Sequence, residues 1–533
     1  MKKILFFLVI FSLLLASTAC DLFPTIPVIT TTTQATTATT SATTVGTTSQ
    51  SATTATTAAL QTTTLPVTTT TTPTTAVTTT TTPTTAVTTT TTATTTVTTA
   101  MTTSATTAAT TLPAAQPFIP SGYSLLQDEL DWIGIPATGE VKLLVFVIDF
   151  SDATLAQSGV TLAMIDKAFN GATDETVYES LRSYYDKSSF GKLSLSADIY
   201  TYRAPQTTAY YEDDYIDYYT DSDLIYDMML YYNNVIDYSD YDANGDGFVD
   251  GIYVIYTAPV SYYSGSDLWW AYQDYYIYEG DTFDGVEPLY FCWSGTDFII
   301  EAGPGTVDAH TLIHETGHML GLDDYYDYDD SDPFNAGGLG GADMMDDCAG
   351  DHSSISKLLL GWITPLVVTE SMTVDIGPYV QAGETLLIID EWNDTIFDEY
   401  LLISYYTPTG LNEYDAWKLF TIPGILIYHV DARIGNGYLE DSSYWTIFNY
   451  NNTDTFHKFV KIIEADEDGT IPLTWYSADD DLFQAGDVFR VSVEAGYDWY
   501  QTLKPDMDFI VAIVSLDAAG AIITITFDEQ YLP

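Results

Sequence analysis

Positive charge is scarce in this 533-residue chain: Lys and Arg number 15 against 74 Asp and Glu, a formal net charge of −59. Such a balance repels nucleic acid and anionic membrane alike, so neither is an expected partner, whereas cations are. Cysteine is scarcer still. Three residues, one of them Cys20 directly after an N-terminal apolar run, cannot close a structural zinc site with four thiolates. Cys292 and Cys348, the two that remain, either form one disulfide or stay as buried thiols. Beyond the N-terminal run no stretch is long and apolar enough to span a bilayer. Histidine numbers six, and three of the six fall at 310, 314 and 318.

Abundance lies elsewhere. From Thr30 to about Thr111 the chain is almost wholly Thr, Ala, Val and Pro, with the unit Val-Thr-Thr-Thr-Thr-Thr-Pro-Thr-Thr-Ala at 67–76 and again at 77–86. No core can be built from it, and its β-branched residues and Pro favour an extended, solvated spacer. Residues 1–20, with Met1-Lys2-Lys3, the apolar run Ile4 to Leu15 and Ala16-Ser17-Thr18-Ala19-Cys20, read as a lipoprotein-type export signal in which Cys20 becomes the lipidated residue. Ser17 stands where such signals carry Leu, so cleavage after Ala19 with release of the chain is the alternative. The expected location is the extracellular face of a bacterial membrane, with 21–116 as stalk. About 400 residues are left to fold, and 41 Tyr, 23 Phe and 46% hydrophobic residues give them a sizeable core.

Val141 to Phe150 is too continuously apolar for a half-exposed strand and reads as a central one. Helices are predicted over Ser180 to Ser188, Ser222 to Asn233 and Ser354 to Gly361, with strands over Lys192 to Tyr202 and Gly251 to Tyr256. The aromatic stretch between Tyr256 and Gly303 reads as irregular. From about Pro365 the pattern turns to strands, at Met372 to Ile376, Thr385 to Ile389, Tyr400 to Tyr405, Gly424 to Val430, Phe459 to Ala465, Phe489 to Val493, Phe509 to Leu516 and Ala521 to Phe527. The expected organisation is an α/β catalytic domain at 117–365, with a mixed sheet and an active-site helix, followed by an all-β domain at 366–533. His429, inside an apolar strand, reads as a core histidine.

Chemistry concentrates in His314-Glu315-Thr316-Gly317-His318-Met319-Leu320-Gly321-Leu322-Asp323-Asp324. On a helix begun near Thr306 as N-cap, residues i and i+4 share a face, so His314 and His318 turn imidazoles to one cation and Glu315 lies beside them to act on a water. Gly321 ends the helix in a left-handed turn and lets a downstream carboxylate return as third ligand. Asp323, Asp324 and Asp327 are the nearby choices and His352 a more distant one; the turn favours Asp324. A fourth position left open marks a catalytic zinc. His310 reads as a neighbour or a surface residue, and His352 as a candidate oxyanion helper or else an exposed or capping histidine.

Two further stretches carry signals. Asp242, Asn244, Asp246, the Phe248 carbonyl and Asp250 fall at positions 1, 3, 5, 7 and 9 of a calcium loop with Gly247 at 6, whereas position 12 is Tyr253 instead of a bidentate Glu. A structural Ca²⁺ loop joined to a strand is expected, not a complete hand. Gly337 to Gly341 lead into Ala342-Asp343-Met344-Met345, the kind of approach that lays a methionine beneath a metal.

With these residues in view the chain resembles the immune inhibitor A family of secreted bacterial zinc metallopeptidases, metzincin-like enzymes whose motif is HExxHxxGxxD. The likeness runs from about Val141 to the C-terminus. It rests on the opening Leu143 to Asp152 strand, Tyr184-Tyr185 with Ser189 to Leu193, above all His314 to Asp327, and also Asp343-Met344-Met345, Lys357 to Trp362 and Pro423 to Asp431. It implies one catalytic Zn²⁺ on His314, His318 and Asp324, Glu315 as general base, Met345 as the Met-turn residue, and hydrolysis of protein or peptide substrates. Between stalk and first strand there is space for only a short prosegment. Rival readings are a catalytically silent, stalked surface binding protein or adhesin, and a zinc hydrolase of non-peptide amides.

Overall fold

The computed structural model describes residues 117–533 apart from 215–218, 261–266, 279, 328–337, 434–436, 439–443, 446–451, 453–457, 467–476, 492–507 and 528–533. The export signal, Cys20, the stalk and Gly337 lie outside the described residues. No helix among those described is long and apolar enough to cross a membrane.

Gly139–Asp149 (β1) is apolar at successive positions because it feeds two cores at once. Leu143, Val145 and Val147 enter one buried cluster, and Leu144, Phe146 and Ile148 enter another on the opposite face. Parallel neighbours flank it, Leu193–Arg203 (β2) on one side and Ile252–Tyr256 (β3) on the other. Tyr272–Tyr275 (β4) and Tyr290–Gly295 (β5) complete the sheet in the order β2-β1-β3-β5-β4, with β5 parallel to β3 and β4 antiparallel at the edge. These last two strands fall in the stretch read as irregular. In β5, Phe291 and Trp293 enter one core while Cys292 enters the other, so no polar alternation marks the strand. Cys292 is a free buried thiol, and the pairing with Cys348 does not form.

Helices Leu162–Asn170, Leu181–Ser188 and His310–Met319 pack on the first face, and Thr220–Tyr232 on the second. Ser180 caps the Leu181 helix by accepting from Ser183 N at 3.0 Å.

Beyond Pro365, strands Val460–Ile462, Gly424–Asp431, Glu399–Tyr406, Thr385–Ile388 and Leu366–Val368 form a five-stranded sheet in that order. Val488–Val491, Phe509–Asp517, Gly520–Thr526 and Met372–Ile376 form a four-stranded one. A one-turn helix, Tyr379–Ala382, interrupts the expected all-β stretch. The five-stranded sheet is also buried on both faces: Leu401, Ile403 and Ile427 meet the four-stranded sheet, whereas Tyr400, Leu402 and Tyr428 join the cluster that holds Leu312 of the His310–Met319 helix. The chain on either side of 365 therefore shares one core, in a mixed α/β architecture. His429 lies in that sheet, 1% exposed, with Nε2 2.8 Å from Glu399 Oε1.

One buried ion pair fastens the Leu181–Ser188 helix to the Ser354–Leu359 helix. Lys357 Nζ donates to Asp351 Oδ2 at 2.7 Å and to Ser188 O at 2.8 Å, all without solvent exposure worth noting. Burial pushes the Lys357 ammonium down in pKa, and Asp351 opposes that shift. Removing only the carboxylate strands a buried cation. Asp351→Ala is accordingly expected to cost about 3 kcal/mol of unfolding free energy, read by urea denaturation.

Candidate metal centre

The helix carrying the motif begins at His310, later than the expected Thr306. Thr306 Oγ1 instead donates to Gly303 O at 2.5 Å in the preceding turn, the N-cap position is Ala309, and the Asp308 carboxylate before it accepts from His310 N at 3.1 Å. His310 is not a surface residue. Burial opposes charge on its ring, yet Asp308 Oδ1 at 2.6 Å and Asp415 Oδ2 at 3.2 Å hold it protonated up to about 10, stacked 4.4 Å from the Tyr178 ring. With both nitrogens so engaged it offers no lone pair to a metal.

One turn on, His314 Nε2 and His318 Nε2 converge on Asp324 Oδ1 at 3.0 and 3.3 Å. Their other nitrogens are tied to backbone oxygens: His314 Nδ1 donates to Met344 O at 2.8 Å and His318 Nδ1 to Leu322 O at 2.9 Å. That arrangement places the Nε2 lone pairs on the converging side. Asp324 Oδ2 accepts from the Tyr326 hydroxyl at 2.8 Å, leaving Oδ1 as the inward oxygen. A tetrahedral zinc with ligand bonds of about 2.05 Å has ligand–ligand edges of about 3.3 Å. The donor set fits that ion in both chemistry and spacing, and among the candidate carboxylates only Asp324 is so placed. Asp327, also buried, pairs instead with Lys458 at 3.5 Å.

Electrostatics reinforce the grouping. Burial works against charge on either imidazole, but the Asp324 carboxylate raises both, His318 to about 10. Burial likewise opposes ionisation of Asp324, and the facing His318 and His314 hold it well below the usual carboxylate range. Glu315, 3% exposed, is raised by burial; His314 and His318 pull it back, and Asp324 pushes it up. A carboxyl poised in this way can both take and return a proton. No protein-family model matches the chain, and no curated protein matches it.

Met345 lies against the helix at the one position without a side chain: a Cβ on Gly317 would stand 2.2 Å from its Sδ. Met344 O orients His314, and Met345 O accepts from Tyr325 N at 2.9 Å, next to the third candidate ligand. Asp343, fully buried, holds this turn by accepting from Met345 N at 2.7 Å, Ser353 N at 2.8 Å and Ser356 Oγ at 2.9 Å. Leu322 and Tyr326 were not singled out in the sequence, and Asp343 and Met344 were read only as the approach to Met345, not as the groups that hold the turn and orient His314.

His352, read as an oxyanion helper or else an exposed or capping histidine, is 0% exposed, its ring walled by Tyr184, Tyr185 and Trp362 at 5.6 to 5.8 Å between centroids; that overturns the exposed reading and argues against direct contact with a substrate oxygen.

The Asp242 loop is a separate site beside β3. Asp242 accepts from Gly245 N, Asp246 N and Gly247 N at 2.7 to 3.1 Å, and Gly245 and Gly247 sit at φ 76° and 94°. Asp250 is 1% exposed; its Oδ2 accepts from Ala243 N at 2.7 Å while Oδ1 has no partner. Burial pushes its carboxyl up to about 7, against the pull of Ala243 N–H, and Asp246 and Asp242 add to the rise. An orphaned oxygen among carboxylates is what a hard divalent cation satisfies.

Gly317→Ala tests the contact beneath the helix. Alanine is favoured over glycine in a helix by about 1 kcal/mol, but forcing Met345 aside costs about 1–3 kcal/mol. A net loss of stability on urea unfolding is therefore expected where propensity alone predicts a gain.

Proposed function

We propose that this chain is a metzincin-like zinc metalloendopeptidase, in line with its resemblance to the immune inhibitor A family, acting on protein or peptide substrates outside the cell. The observation that carries the reading is the convergence of His314, His318 and Asp324 on one point with Glu315 on the next residue of the same helix. Zinc held there supplies Lewis-acid polarisation of a carbonyl and of water. Glu315 takes the proton of the attacking water on its carboxylate and passes it to the leaving amine, and its burial-raised pKa suits both transfers. Tyr326 keeps Asp324 oriented, while Met344 O and Leu322 O keep the two imidazoles in one tautomer.

The Asp242 loop belongs to the same proposal as a structural calcium site, with Asp242, Asn244, Asp246, Phe248 O and Asp250 as ligands. It joins the turn Tyr238–Tyr241 to β3, two strands from the sheet edge. The lipid anchor on Cys20 and the Thr-rich stalk complete it, setting the enzyme away from its membrane.

Two measurements test the reading. Glu315→Ala is expected to bind zinc as the wild type does and to lose at least about a hundredfold in kcat/KM on a protein substrate; full activity in the zinc-loaded variant refutes the mechanism. Zinc bound without cleavage by either protein points to the stalked binding protein or to a non-peptide amide substrate. Calcium is expected to raise the melting temperature of the wild type and to leave Asp250→Asn almost unchanged, read by calorimetry with and without chelator.

A further inference from the structure

A helix leaves the carbonyls of its last turn without intrahelical donors. At the end of the His310–Met319 helix two such oxygens are taken by side chains 187 and 193 residues earlier. Trp132 Nε1 donates to Met319 O at 3.0 Å, and Ile135 N donates to the same oxygen at 3.0 Å. Gln127 Nε2 donates to Leu320 O at 2.8 Å and to Ile135 O at 2.9 Å, while its Oε1 accepts from Ala137 N at 2.9 Å.

These residues belong to a strap, 118–137, fastened at both ends. Phe118 exchanges two backbone bonds with Val367 at 2.9 and 2.8 Å, and Trp362 Nε1 donates to Ala137 O at 2.8 Å. Leu126 and Ile135 are buried in the main core. The Trp132 ring stacks on Tyr290 of β5 at 4.5 Å, and Trp132 and Leu130 close over Gly321.

Gly321, at φ 95°, turns the chain from the helix into the loop that carries Asp324. His318 Nδ1 is held by Leu322 O, so the orientation of this imidazole depends on where that turn lies. Gly321 N to His318 O and Leu322 N to Gly317 O fix the amide side of the turn at 2.9 and 3.0 Å. The carbonyl side is fixed by the strap.

We propose that Gln127 and Trp132 are positioning residues for His318 and Asp324, which makes the strap a fixed part of the metal centre and not a removable prosegment. The inference rests on the zinc reading above. Any processing that leaves the centre intact must cut before Phe118; a cut inside the strap loosens it.

The test compares the full chain carrying Trp132→Phe, which keeps the stacked ring and removes only the N–H, or Gln127→Ala, with Trp293→Phe. The last removes a like bond, Trp293 Nε1 to Leu268 O at 2.7 Å, in the core on the other face of the sheet. Zinc affinity is read by chelator competition, and amide hydrogen exchange at Leu320, Gly321 and Leu322 is read in the metal-free protein. Each strap variant is expected to weaken zinc binding about tenfold and to speed exchange at those three amides; Trp293→Phe is expected to lower only the melting temperature. Wild-type zinc affinity and exchange in both strap variants overturns the proposal. A wild type that binds no zinc overturns the zinc reading instead, and exchange in the metal-free variants still decides whether the strap holds the turn.

Discussion

Two hydrogen bonds from imidazole to backbone, His314 Nδ1 to Met344 O and His318 Nδ1 to Leu322 O, are the constraint on which the rest of the site depends. A neutral imidazole has one donor and one acceptor, so binding the donor to a carbonyl decides which lone pair is free and where it points. One of those carbonyls lies just after the helix and the other on the Met344 turn. Each therefore needs its own support: the Gly321 turn for Leu322, and for Met344 the buried Asp343 carboxylate with its three donors. Spacing at i and i+4 brings two histidines to one face, but the turns that follow make them a matched pair.

The same logic accounts for much of the acidity inside the fold. Asp242, Asp308, Asp324 and Asp343 carry backbone N–H or hydroxyl donors that loops and helix starts would otherwise leave unsatisfied. Such carboxylates are structural groups first. Two contrasts stand out: Asp324, which directs one oxygen at two imidazoles, and Asp250, which keeps one oxygen bare in a loop of other acids.

Legibility in the sequence followed the strength of local pattern. β1 was readable because a strand buried on both faces needs apolar side chains in succession, and the His314 motif because helical periodicity is rigid. β4 and β5 were not: Tyr and Trp serve on buried and half-exposed faces alike, so Tyr290 to Gly295 carries neither period. The start of the His310–Met319 helix was misread because Thr306 is a good cap by residue type, whereas the N-cap position falls to Ala309, which has no side-chain acceptor, and Asp308 before it receives the His310 N–H. His352 follows the Met344 turn closely in sequence, but sequence distance does not say that Tyr184, Tyr185 and Trp362 enclose its ring. Trp132 and Gln127 were invisible for a different reason, since their partners lie far along the chain and neither sits in a pattern.

Glu315 weighs on the choice between an enzyme and a silent scaffold. Its carboxyl lies in the interior with its pKa raised, so keeping it ionised there costs stability. A protein that retained a metal only to brace its fold gains nothing from that cost; Gln or an apolar side chain fits the same helix position without it. Lys357 and Asp351 show the other case, a buried charge answered by a partner that fastens two helices. Glu315 faces His314, His318 and Asp324 without completing such a clamp, which supports the proposed proton-transfer role over a purely structural one.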